Sequence, residues 1–182
     1  MVGLRLSPPP SDTLRIMTLW FTSDPHFGHA NILTFTGADG KLIRPGFADV
    51  EDMDNYIVER WNNVVRDSDH VYILGDVTMD RKQLPTLNRL NGHLRLVRGN
   101  HDIFHTRFYL QYFDEIYGSR VLDNLIFTHI PIHPASMGRF TANVHGHFHQ
   151  NPSPPGPYFN ICVEQTDYRP LTLEEIKERL TS

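Results

Sequence analysis

The chain of 182 residues carries 17 Lys+Arg against 21 Asp+Glu, a single cysteine and 11 histidines. That length suits one domain with a core large enough to fold without staples. Cys162 alone excludes an internal disulfide or a cysteine zinc site, and the slight acidic excess argues against a duplex DNA binder held by its phosphate contacts.

Residues 1–16, with Pro8, Pro9 and Pro10 in a row, read as a polar N-terminal arm expected to be disordered; the single domain is placed at 17–182. The arm lacks a signal peptide's apolar segment, and no apolar run approaches the roughly 18 residues that span a bilayer, so a cytoplasmic protein without a membrane partner is expected. Six short apolar runs read as strands: Thr18 to Ser23, His70 to Leu74, Leu94 to Val97, Leu125 to Thr128, Ala142 to His145 and Tyr158 to Val163. Between them, Met53, Tyr56, Ile57, Trp61 and Val64 fall at helical spacing within 50–65, and Leu84, Leu87 and Leu90 predict a second, shorter helix. Thr172-x-x-Glu175 is a capping box that opens a closing amphipathic helix with Leu173, Ile176 and Leu180 on one face. Alternating strands and helices are the α/β or α+β pattern.

Five polar clusters stand where predicted strands end: Asp24-Pro-His26, Gly75-Asp76, Gly99-Asn100-His101-Asp102, Thr128-His129 and Gly146-His147-Phe148-His149. Loops at one sheet edge bring together residues distant in sequence. In an extended segment side chains two apart point the same way, so Asp24 and His26, or His147 and His149, are expected to address metal ions together. Asp76 is expected to bridge two cations, one carboxylate oxygen to each. The glycines permit sharp turns and close approach at the strand ends.

These five blocks, in this order, resemble the signature of the calcineurin-like metallophosphoesterase superfamily, and from about Met17 onward the chain is most similar to its small bacterial and phage phosphoesterases. The run Ser23 to Asn31 and the segment Tyr168-Arg-Pro-Leu171 strengthen the narrower match. The resemblance implies a four-layer α/β/β/α sandwich of two mixed sheets flanked by helices. It assigns Asp24, His26, Asp76 and His149 to one metal, and Asp76, Asn100, His129 and His147 to a second. His101 corresponds to the catalytic histidine and Asp102 to its orienting partner. The implied reaction is hydrolysis of a phosphate ester by a metal-bridging hydroxide with His101 assisting as general acid.

The mixed nitrogen and oxygen ligands suit two divalent ions, Mn foremost and then Fe, Zn, Ni or Co, over Mg or Ca. Because histidine must be neutral to bind metal, activity is expected to fall below about pH 6. His29, Asn31, Arg44 and His133 are candidate substrate-binding residues, with Arg44 read as a phosphate clamp. His145 reads as a structural neighbour of the ligands, His70, His93 and His105 as background, and Cys162 as a small core hydrophobe. The expected substrate is a phosphodiester, a cyclic nucleotide or a nucleic acid end among them. The alternatives are a phosphomonoesterase and, from another class, a non-catalytic protein-interaction scaffold of the same fold.

Overall fold

A computed structural model describes residues 17–181; the N-terminal arm expected over 1–16 lies outside them. Among the described residues, nine strands form two sheets. The first has β1 (Leu19–Thr22), β2 (His70–Ile73), β3 (His93–Val97), β4 (Glu115–Tyr117) and β9 (Leu171–Thr172) in the order β4-β3-β2-β1-β9. Its strands run parallel except β9. The second has β5 (Arg120–Leu122), β6 (Leu125–Thr128), β7 (Ala142–His145) and β8 (Tyr158–Asn160) in sequence order, with only the β5–β6 pair antiparallel. Both sheets are therefore mixed, as expected.

Period-two alternation decides what each strand face meets. Val71 and Ile73 of β2, with Leu94 and Leu96 of β3, face one core beneath α1 (Val50–Asn62), whose Met53, Ile57 and Trp61 are buried there. The alternate residues Phe21, Tyr72, Leu74 and Val97 face a second core between the sheets, against Leu125, Phe127 and Val144. Phe21 stacks between Tyr72 and Phe127, with centroids 5.3 and 4.5 Å away. Asp49 caps α1 by accepting from Asp52 N at 2.9 Å.

The expected second helix is a 3-10 helix over Arg81–Arg89. Pro85 within it cannot donate a backbone hydrogen bond, and the three-residue spacing of Leu84, Leu87 and Leu90 is the period of a 3-10 turn. A one-turn helix, α2 (Thr106–Tyr109), follows β3. The closing helix is α3 (Leu173–Thr181); its capping box is formed, Thr172 N donating to Glu175 Oε2 at 2.8 Å and Glu175 N to Thr172 Oγ1 at 3.2 Å. α3 buries Leu173 and Ile176 in the inter-sheet core. Loops cover the outer face of the second sheet, where buried Asn143 accepts from Ile132 N and donates to Ile126 O and Thr128 Oγ1. Among the described residues no helix is long and apolar enough to cross a membrane.

Candidate metal centre

The five polar clusters converge at the C-terminal ends of β1, β2, β3, β6 and β7. Parallel pairing continues past β1 and β2: Asp24 N donates to Gly75 O, His26 N to Asp76 O and Phe27 N to Val77 O, so the first two clusters are locked side by side. Across the sheets, Ser23 bridges to Cys162 and Val163 N donates to Ser23 O; within the second sheet, Gly146 N donates to His129 O just past β6 and β7. The two sheets are thus stitched together at the edge that carries the histidines.

The local backbone is not extended, as the two-residue spacing suggested. Asp24, His26, Asp76, His147 and His149 all have φ between 49 and 68°, the left-handed region that non-glycine residues seldom adopt and that clusters at functional sites. Asp24 and His26 still meet, but His147 and His149 diverge. One group comprises Asp24, His26 and His149 and the other Asp76, His129 and His147, the candidate ligand atoms of each lying within 4.8 Å of one another. Asn100 joins the second, its Oδ1 2.8 Å from His129 Nε2. At Gly146 a Cβ would overlap Ser23 Oγ and Asp24 Oδ2, and at Gly99 it would overlap Asp76 Oδ1; both glycines let backbone press against a ligand carboxylate.

Each carboxylate has one oxygen held by the protein. Asp24 Oδ2 accepts from Ser23 Oγ at 2.5 Å, His147 N at 2.9 Å and Cys162 Sγ at 3.2 Å. Asp24 Oδ1 is buried without a hydrogen-bond partner, as are both ring nitrogens of His26. Asp76 Oδ1 accepts from His101 N at 2.8 Å, leaving Oδ2 facing both groups, 3.8 Å from His26 Nε2 and 3.3 Å from His129 Nε2. A single oxygen of Asp76 therefore lies between the groups, rather than one oxygen serving each.

His26 Nε2 stands 3.7 Å from Asp24 Oδ1. That is too long for a hydrogen bond but within the span of two ligands each about 2.1 Å from a common ion. Buried polar atoms left unpaired are costly, and here they converge with a nitrogen and oxygen donor set that fits divalent metal.

The ring tautomers agree. His129 Nδ1 lies 2.8 Å from Leu74 O and His149 Nδ1 lies 3.0 Å from Glu164 Oε1. Both acceptors require a proton on Nδ1, which directs Nε2 to the metal position. Burial lowers the His129 ring's basicity, but Asp76 and Asp24 outweigh it and push the pKa up to about 9. Burial opposes the Asp24 carboxylate too, yet the adjacent His26, His129 and His149 hold its pKa below the usual range.

The remaining candidates divide. The His101 ring is exposed and its centroid lies 6.0 Å from that of His26. His29 lies beside the same ring at 5.4 Å, and its pKa is lowered to about 4 by burial, then by His26 and Arg44. Asn31 is exposed in the turn that follows.

The readings of Arg44 and Asp102 are corrected. Arg44 is no phosphate clamp: 1% exposed, it donates to Asp24 O at 2.5 Å, Pro25 O at 2.8 Å and Glu164 Oε1 at 2.8 Å. His133 is exposed and caps a 3-10 turn, its Nδ1 accepting from Ala135 N at 3.2 Å. Among the described residues no hydrogen bond joins the His101 and Asp102 side chains. The buried Asp102 carboxylate instead accepts from Gly99 N at 2.8 Å, Asp76 N at 2.9 Å and Val77 N at 3.1 Å. It ties the β2 and β3 loops together rather than orienting the His101 ring. His145 is structural, as expected, with ring nitrogens 2.8 Å from Gly146 O and 3.0 Å from Ser153 Oγ.

Ser23, Cys162 and Glu164 escape sequence reasoning as members of the site. The only available signal was an acidic residue directly after the apolar run Tyr158 to Val163.

The sequence profile of the calcineurin-like phosphoesterase family matches residues 17–178. The uncharacterized protein MJ1445 of Methanocaldococcus jannaschii is 33% identical over 174 residues, covering 87% of this chain and 88% of its own. The gene 66 protein of Mycobacterium phage L5 is 36% identical over 88 residues, 46% of this chain and 39% of that protein. Among solved structures, the protein of unknown function AQ665 from Aquifex aeolicus superposes with a TM-score of 0.67 at 26% identity, over 90% of this chain and 99% of its own.

Proposed function

The chain belongs to the calcineurin-like phosphoesterase family, and we propose that it hydrolyses phosphodiesters, cyclic nucleotides or nucleic acid ends among them, with two divalent metal ions, Mn²⁺ foremost. The observation that carries this reading is the pair of His/Asp groups with Asp76 Oδ2 between them. Bound there, two divalent ions supply Lewis acidity toward phosphoryl oxygens and lower the pKa of water.

The protein's part is charge, orientation and proton handling. The donor set holds only two carboxylates, Asp24 and Asp76, beside four imidazoles and one amide, so the loaded site keeps a positive balance that draws in an anionic ester. Asp76 fixes where His101 stands, by accepting its backbone N–H at 2.8 Å. The exposed imidazole then contacts the phosphate and gives a ring proton to the departing oxygen.

A diester is favoured because His101 and Asn100 are both exposed at the rim, which leaves room for two ester arms. The lone cysteine is buried and donates to Asp24; nothing in that arrangement requires an oxidising compartment, in keeping with a cytoplasmic enzyme.

The test is turnover of bis-p-nitrophenyl phosphate, p-nitrophenyl phosphate and cyclic nucleotides by protein loaded with Mn²⁺, against the same protein in chelator. Chelator-sensitive cleavage with preference for the diester is expected. Preference for the mono ester would make the protein a phosphatase, and no chelator-sensitive activity on any ester would return it to the scaffold class.

A further inference from the structure

Behind His149 lies a buried ion pair that the catalytic reading does not use. Glu164, in the 3-10 turn Val163–Gln165, has a side chain 3% exposed, and that of Arg44 is 0% exposed. Glu164 Oε1 accepts from both Arg44 Nε at 2.8 Å and His149 Nδ1 at 3.0 Å. The other end of Arg44 donates to the carbonyls of Asp24 and Pro25 at 2.5 and 2.8 Å.

One guanidinium thus holds the peptide groups between Asp24 and His26, two residues at φ 58 and 50°. Its carboxylate partner holds the ring of His149, itself at φ 49°. All three residues so held belong to the same metal-ligand group. Their side chains come from the β1 loop and the β7 loop, far apart in sequence, and Arg44 with Glu164 ties the two loops by charge.

We infer that Arg44 and Glu164 are positioning residues for one of the two metal sites: Glu164 fixes the tautomer and direction of His149, and Arg44 fixes Glu164 together with the strained Asp24-Pro25-His26 turn. This rests on the proposed dinuclear centre. Neither residue reaches the substrate. Isolated buried ion pairs are often replaceable by apolar residues with no loss of stability, but removing this one also strips partners from Asp24 O, Pro25 O and His149 Nδ1; a cost in folding is therefore expected, and the sign of alignment is a loss of metal binding confined to one ion. Carboxylates that accept from a ligating imidazole are typically worth about 10- to 100-fold in metal affinity.

The experiment is calorimetric titration of chelator-stripped protein with MnCl₂, with urea unfolding of the metal-free proteins alongside. The variant Arg44→Met/Glu164→Leu removes both charges at similar volume. It is expected to fold but to unfold at a lower urea concentration than wild type, because Asp24 O, Pro25 O and His149 Nδ1 lose their partners, and to bind one of its two ions about 10- to 100-fold more weakly while the other is unchanged. Added to His149→Ala, the same pair of changes is expected to weaken that ion only through the Asp24 turn, so the combined loss falls short of the product of the separate losses. Should the double variant not fold, Glu164→Asp keeps the charge opposite Arg44 but withdraws the carboxylate from His149, and the same single ion is expected to weaken.

Wild-type affinity for both ions in either folded variant, or equal weakening of both ions, overturns the inference. A wild-type chain that takes up two ions yet cleaves no ester refutes the proposed function and leaves the positioning role intact. A wild-type chain that takes up no ion overturns both.

Discussion

Asp102 separates two accounts of the loop after β3. As an orienting partner of His101 it would matter for rate alone. As found, its buried carboxylate accepts from the backbone N–H groups of Gly99, Asp76 and Val77, and its replacement should therefore be felt in stability. Burial raises the Asp102 pKa against the lowering effect of those bonds, so the carboxylate also carries a desolvation cost that a neutral residue would relieve. Each buried N–H left without an acceptor costs about 1–3 kcal/mol. Three of them, less the relieved desolvation, give about 3–4 kcal/mol for Asp102→Ala. Asp102→Asn keeps one acceptor oxygen but turns an NH₂ toward either Val77 N or the Gly99 and Asp76 N–H groups, and should lose about 2–3 kcal/mol. Urea unfolding of metal-free protein, followed by circular dichroism, measures both. A loss below about 1 kcal/mol in Asp102→Ala, accompanied by a large fall in turnover, would refute the bracing role and restore the orienting one.

Three further outcomes follow from the same geometry. His101→Ala should lower turnover by about 10²- to 10⁴-fold while metal content measured on the same sample stays at the wild-type value; turnover equal to wild type would remove His101 from the reaction. Gly146→Ala places a methyl against Ser23 Oγ and Asp24 Oδ2, and should weaken metal binding at the Asp24 group and cost about 1–3 kcal/mol of stability by overpacking; an unchanged calorimetric titration would show that the β7 loop yields freely. Asp54 is buried, with its carboxylate 2.9 and 3.1 Å from Gly28 N, and burial raises its pKa from 3.8 to about 6. Its ionised form is disfavoured by folding, so the penalty is absent below about pH 3.8, grows between the two values and is full above about pH 6. Asp54→Asn should therefore be more stable than wild type at pH 8, by up to about 3 kcal/mol, with the gain shrinking to nothing by pH 4; a gain independent of pH would contradict the burial argument.

Much of the fold was legible because sheet faces write themselves as alternation: Val71 and Ile73 point to one core and Tyr72 and Leu74 to the other. The strands not foreseen, β4, β5 and β9, have three, three and two residues, too few for any period to register. The metal-ligand candidates were legible as residue types placed after strands, and the structure gathers them into two groups as the family resemblance implied. Their backbone was not, because left-handed φ at Asp24 and His149 is imposed by contacts with distant segments rather than by local preference. The same is true of what stands behind them. An arginine in a loop reads as a surface cation, and only the path of the chain takes Arg44 inside, where two carbonyls and Glu164 satisfy its donors. Cys162 was legible as buried, but its thiol contact with Asp24 belongs to the tertiary fold alone.

In the proposed centre two ions act together across Asp76. The most direct test is diester turnover measured as metal-free protein receives Mn²⁺ in fractions of an equivalent, with bound metal counted on the same samples. Little activity is expected up to one ion per chain, with a rise through the second and a plateau at two. Full activity with one ion bound, or none with two, would contradict this joint action.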